Sequence, residues 1–150
     1  MGRFVMTNFM DYALKCAKKA QALGEVPIGA VVVKDDKIIS TGYNVREKSQ
    51  DATMHAEIVA IKRACKKLKS WRLDNCDIYV TLKPCPMCAG AIVNARINTC
   101  YYGAKNLNDK EDTIEKIFSN PMLLNHSTKL VYHHNQQCQQ ILSQFFKSKR

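Results

Sequence analysis

Acidic residues are scarce. The 150-residue chain carries 13 Asp plus Glu against 23 Lys plus Arg, a formal net charge of +10. Tryptophan occurs once, proline four times and glycine six times. That composition excludes a fibrous or low-complexity chain. No apolar run approaches the roughly 18 residues that a membrane span requires. The N-terminus, Met1-Gly2-Arg3-Phe4-Val5-Met6, lacks the apolar stretch and small-residue cleavage site of a secretion signal. Met6 also stands where a myristoylation signal needs Ser or Thr. These absences predict a cytoplasmic protein without a membrane partner.

What is present is ordinary for one folded domain spanning residues 1–150. Hydrophobic residues make up 46% and charged residues 24%, and a chain of this length buries about two thirds of its unfolded surface. The positive surplus favours a polyanionic partner, nucleic acid first and a membrane surface second. Solubility alone is the competing reading of that charge. Seven cysteines, at 16, 65, 76, 85, 88, 100 and 138, are odd in number and irregular in spacing. They predict a reducing compartment rather than a disulfide scaffold. Only Cys85 and Cys88 form a C-x-x-C pair. Cys16, Cys65, Cys76, Cys100 and Cys138 read as small buried hydrophobes.

Periodicity predicts helices over Thr7–Leu23, His55–Leu68, Pro86–Asn94, Asp109–Phe118 and Asn135–Lys147. Strands are expected at Ile28–Val33, Lys37–Gly42, Asp77–Thr81, Thr99–Tyr102 and Lys129–Tyr132, the first two joined as a hairpin by Asp35-Asp36. Strands alternating with helices after an opening hairpin imply an α/β fold: a mixed five-stranded sheet with helices on both faces, a three-layer α/β/α sandwich.

The informative residues are His55-Ala56-Glu57 and Pro84-Cys85-Pro86-Met87-Cys88. Cys85 and Cys88, three apart at a helix start, can reach one ion. The positive end of that helix favours their thiolates. Two thiolates and one imidazole suit Zn²⁺, and three protein ligands leave a fourth position for water, as catalytic zinc sites do. Glu57 decides between a structural and a hydrolytic site. A carboxylate beside an activated water can carry its proton, whereas a structural zinc needs no such neighbour. The order H-x-E…P-C-x-x-C is the known signature of zinc nucleobase deaminases. The bland alternative is a redox or structural-zinc C-x-x-C beside an unrelated helix.

The resemblance extends well beyond those motifs. Glu25-Val26-Pro27-Ile28-Gly29-Ala30, Gly42-Tyr43-Asn44, Tyr79-Val80-Thr81-Leu82, Pro84 to Ile92, Arg96-Ile97, Gly103-Ala104, Asn125-His126 and Leu142 to Lys147 resemble the bacterial tRNA-specific adenosine deaminases. The resemblance implies a cytidine-deaminase-like fold, a homodimer, one zinc ion per subunit and deamination of the wobble adenosine of a tRNA anticodon stem-loop to inosine. It assigns His55, Cys85 and Cys88 to the metal and Glu57 to proton transfer. It also implies contacts from Asn44 and the Ala56 backbone to the flipped base. Lys105, Asn106, Phe145, Phe146, Lys147 and Arg150 are implied contacts to the stem-loop.

The chain departs from that family pattern in three places. Lys83 replaces the usual Glu and is expected to face solvent. Asn106 replaces the usual Asp near the nucleotide sugar, and this bears on discrimination of RNA from DNA. Leu107 to Ile114 lacks the usual glycines and is expected to be more helical. Other readings stay open. Asn44 also fits a turn residue, and Phe145 and Phe146 also fit a helix core. Trp71 reads as an anchor between elements, and His133 and His134 read as surface residues. The competing functions are a free-nucleobase or nucleoside deaminase of the guanine or cytosine type and a non-catalytic, zinc-stabilised RNA-binding subunit.

Overall fold

The computed structural model describes residues 8–106, 109 and 112–149. In chain order the elements are α1 (Phe9–Ala22), β1 (Gly29–Lys34), β2 (Lys37–Tyr43), α2 (Arg46–Ser49), α3 (Ala56–Leu68), β3 (Cys76–Val80), α4 (Pro86–Asn94), β4 (Thr99–Tyr102), α5 (Thr113–Ser119), α6 (Pro121–Leu124), β5 (Lys129–Tyr132) and α7 (Gln136–Ser148). Five strands form one sheet in the order β2-β1-β3-β4-β5. β1 pairs antiparallel with both β2 and β3, whereas β3, β4 and β5 are parallel. The expected mixed sheet is therefore present. Each parallel connection carries helix, α4 in the first and α5 with α6 in the second, as parallel crossovers require.

Local chemistry accounts for the element ends. Asp35 and Asp36 both adopt positive φ, 51° and 58°. Aspartate tolerates this conformation, and two such residues turn a hairpin with the twist its strands need. The Asn8 side chain accepts a hydrogen bond from Met10 N at 3.1 Å and caps α1. Pro86 opens α4, where its missing N–H is no loss.

The two helical layers have separate cores. On one face, Met10, Ala13, Leu14 and Ala17 of α1 pack with Cys138, Ile141 and Leu142 of α7. On the other, Ala56, Ala60 and Ala64 of α3 join Ala89, Ile92 and Val93 of α4 and Phe118 of α5 over Val32, Ile78, Val80 and Cys100. The alanine stripe brings α3 unusually close to the sheet. A Cβ on Gly42 would lie 2.4 Å from Ala56 O and 2.7 Å from Ala60 N. Only glycine allows that approach, and it fixes the start of α3, where the chemistry lies.

The structure corrects several expectations. α2 and α6 were not anticipated, because four-residue helices show no period. α2 is held from a distance: the buried Glu25 carboxylate accepts from Glu47 N at 3.0 Å and from Lys48 N at 2.7 Å. The helix expected from Asp109 begins at Thr113. The helical reading of 107–114 lies partly outside the described residues, and Asp109 and Asp112 within it are not helical. Trp71 anchors no core: it is 61% exposed, with the Arg72 and Arg96 guanidiniums 5.3 and 5.7 Å from its ring centre. Of the five remaining cysteines, Cys65 is only partly buried. His133 and His134 are exposed as expected, although His134 Nδ1 lies 2.7 Å from the Tyr132 hydroxyl. No helix of the described residues is long and apolar enough to cross a membrane.

Candidate active site

Two helix starts converge at the carboxyl end of β3, the side of a parallel sheet where ligands usually bind. Thr81 steers the chain out of β3. Its N–H donates to Gly29 O at 3.0 Å, and its hydroxyl accepts from Gly29 N at 3.1 Å. Lys83 N then donates to Ala104 O at 2.9 Å. These bonds fix the run into Cys85, the N-cap of α4. His55 is the N-cap of α3 and is extended, with φ −75° and ψ 157°. Being outside the helix, His55 escapes the spacing that would point residues 55 and 57 apart. Its ring reaches the cysteines while Glu57 sits in the first helical turn.

The geometry brings the predicted metal ligands together. His55 Nδ1 lies 3.7 Å from Cys85 Sγ and 3.6 Å from Cys88 Sγ. The three donor atoms are all within 4.8 Å of one another. Glu57 is buried, and burial pushes its carboxyl up to about 7, opposed in part by a hydrogen bond from the Cys88 thiol. The Cys85 thiol is driven down to about 5, first by the Cys88 thiol and then by the Cys88 and Met87 amides and by His55. Cys88 is raised because it keeps the proton shared with Cys85 and because it is buried. The pair is thus poised to present one thiolate and a second thiol that gives up its proton to a cation.

One imidazole and two thiols at this spacing are a donor set suited to zinc. Among the described residues the group holds three candidate ligands, not the four of a closed structural site. The buried Glu57 shares the start of α3 with His55, one of those ligands.

Comparison with known proteins agrees with this geometry. The MafB19-like deaminase family matches residues 6–150. The tRNA-specific adenosine deaminase of Buchnera aphidicola is 45% identical over 144 residues, covering 95% of this chain and 94% of the relative. The chain belongs to the tRNA-specific adenosine deaminases. The Arabidopsis thaliana chloroplastic tRNA(adenine(34)) deaminase is 56% identical over 104 residues, which cover 69% of this deaminase but only 8% of the plant protein. A solved tRNA:A34 deaminase, studied for A-to-I editing at the wobble position of transfer RNA, is 40% identical with a TM-score of 0.81. It covers 89% of this chain and 98% of its own.

The remaining expected site residues of this deaminase are spread more widely. Asn44 is buried. Its amide donates to Val26 O at 3.4 Å, and its Oδ1 accepts from Arg46 N at 3.2 Å, so it has the turn role that the sequence left open. Ala56 is buried in the first turn of α3, where backbone N–H groups lack in-helix acceptors. Lys105 and Asn106 are exposed just beyond β4, with Lys105 Nζ 4.5 Å from the Tyr132 ring centre. Phe145, Phe146 and Lys147 lie in the last turns of α7. Phe145 is partly buried and Phe146 exposed, their ring centres 5.5 Å apart. Arg150 lies outside the described residues.

Lys83 overturns its expectation. It does not face solvent: its side chain is 4% exposed, and Nζ donates to Asp109 Oδ2 at 2.7 Å and to Glu115 Oε1. Its partners lie 26 and 32 residues away, so no local pattern announced the pairing.

Proposed function

We propose that this protein hydrolyses the exocyclic amine of adenosine at the wobble position of a tRNA anticodon, releasing ammonia and leaving inosine. The reading rests on one observation: a buried carboxyl joins a His-Cys-Cys group in a chain similar along nearly its whole length to tRNA-specific adenosine deaminases. His55, Cys85 and Cys88 would hold one zinc ion per subunit, which when bound supplies a Lewis-acidic centre that acidifies a water.

The remaining chemistry belongs to the chain. Glu57 would take one proton from the attacking water and deliver it to adenine N1 as the water oxygen bonds to C6. It would then take the second proton from the new C6 hydroxyl and pass it to the amine, so that the C6–N bond breaks, ammonia leaves and the C6 carbonyl forms. A buried carboxyl held in the first turn of α3 can both accept and return a proton within one turnover. Asn44 and the Ala56 backbone bind the flipped base. Lys105, Asn106, Phe145, Phe146, Lys147 and Arg150 bind the stem-loop, with aromatic faces for bases and cations for phosphates.

The working protein is a cytoplasmic homodimer. Met87 on α4 and Met122 and Leu123 on α6 are exposed, Met122 by 88%, and such an apolar surface is suited to a second copy. The net charge of +10 favours RNA over a free base, because a small substrate needs no phosphate-binding surface.

Purified protein incubated in parallel with an adenosine-34 stem-loop and with free adenine, guanine and cytosine tests the proposal. Inosine in the RNA alone is expected. Ammonia from a free base with unchanged RNA would replace it with the nucleobase reading, and no turnover of either would leave the RNA-binding subunit.

A further inference from the structure

Lys83 lies two residues before Cys85, yet its side chain turns into the protein. Three bonds leave this one residue for the chain beyond β4. Its N–H donates to Ala104 O at 2.9 Å, and its ammonium donates to Asp109 Oδ2 at 2.7 Å and to Glu115 Oε1. Glu115 sits in the first turn of α5, which packs on α4. The ammonium also lies 5.9 Å from the Tyr102 ring centre at the end of β4. Asp109 is itself mostly buried, its side chain 15% exposed. Glu115 is the more open partner, its side chain 45% exposed, although its Oε2 is buried with no hydrogen-bond partner among the described residues.

A buried lysine is stable only when paired, and removing Lys83 or its mostly buried partner Asp109 leaves an uncompensated charge inside. The three bonds therefore act together. They span from Ala104 to Glu115, and the exposed Lys105 and Asn106 lie within that span.

We infer that the Lys83–Asp109–Glu115 ion triad is a strut that holds Lys105 and Asn106 at the height of the Cys85 turn, making Lys83 a positioning residue for RNA binding. The inference rests on the function proposed above. Lys83 touches no reacting atom. It sets where the rim stands relative to the metal-ligating turn, so its loss acts on substrate affinity and leaves the chemical step in place.

Two measurements on the zinc-loaded protein test this. In Lys83→Met, the affinity for a fluorescein-labelled anticodon stem-loop, read by anisotropy, should weaken about tenfold while kcat stays within about threefold, the size expected of a residue that acts on a site through its neighbours. Amide exchange of a peptide containing Lys105 and Asn106 should speed up, and Lys83→Arg should restore both. Asp109→Asn should reproduce the effect, and adding it to Lys83→Met should add little, as expected for coupled residues. If Lys83→Met does not fold, Asp109→Asn is judged by the same criteria. Unchanged affinity, unchanged exchange, or a fall in kcat with KM preserved overturns the strut. A wild-type protein that binds no stem-loop overturns the proposed function itself, and with it any role of the triad toward RNA.

Discussion

His55 Nδ1 lies 3.6 Å from Cys88 Sγ although 33 residues separate them in the chain. The distance is set by two helix starts. His55 is an extended N-cap and Cys88 lies in the first turn of α4. Both helices start beside the same end of the sheet, one fixed by the contact of Gly42 with Ala56 and the other by the Thr81–Gly29 bonds.

This convergence predicts the outcome of ligand removal. Cys85→Ser, Cys88→Ser or His55→Ala should each abolish stoichiometric zinc, measured by elemental analysis after dialysis. Chelation of the wild type should lower its melting temperature, because a ligand that binds only the folded state stabilises it. Full zinc in any of the three variants would contradict the assignment.

Glu57→Ala should retain zinc and lose about 10²-fold to 10⁴-fold in kcat, the usual contribution of a positioned acid–base group. Inosine formation by mass spectrometry is the readout. Activity within a few-fold of wild type would remove Glu57 from proton transfer.

The same residue predicts a pH effect on the metal-free protein. Its carboxyl moves from an ordinary 4.5 to about 7 on burial. The folded state therefore holds the proton more tightly than the unfolded state. That contribution is complete below the ordinary value and is lost as pH rises through about 7. Metal-free Glu57→Gln should accordingly be more stable than metal-free wild type at about pH 8, by up to roughly 3 kcal/mol. The two should match at about pH 4. Urea melts at both pH values check this, and a variant weaker than wild type at the higher pH would refute it.

Gly42→Ala places a methyl group against Ala56 O and Ala60 N. Overpacking of this kind costs about 1–3 kcal/mol. Because Ala56 sits between His55 and Glu57, zinc occupancy and kcat should fall as well. An Ala variant with unaltered zinc and melting temperature would show that α3 can shift freely.

Salt distinguishes the substrates. If phosphates are bound, kcat/KM on the stem-loop should fall at least roughly tenfold between about 50 and about 200 mM salt. A flat profile would indicate a small neutral substrate.

Much of this was legible beforehand because the signals are local. The limits of α4, β4 and β5 match their sequence readings, where Pro86, β-branched or aromatic runs and flanking polar residues mark the ends. The convergence of His55, Cys85 and Cys88 as a candidate metal-binding group was legible for the same reason: H-x-E and C-x-x-C are short patterns with one demanding chemistry. Asn44 was half legible. The hydrogen bond its Oδ1 accepts from Arg46 N is local, whereas Val26, whose carbonyl accepts from its amide, is brought near by the fold.

By itself, then, the sequence determined the alternation of strands and helices and singled out a candidate ligand set with a neighbouring carboxyl, since periodicity, capping and metal chemistry act over a few residues. Only the tertiary structure decided that His55 meets Cys85 and Cys88, that Glu25 holds α2, that Trp71 lies outside the core, and that Lys83 is buried between Asp109 and Glu115. Those outcomes depend on charges and surfaces far apart in the chain. Their free energies come from burial and pairing, which exist only after the layers have closed.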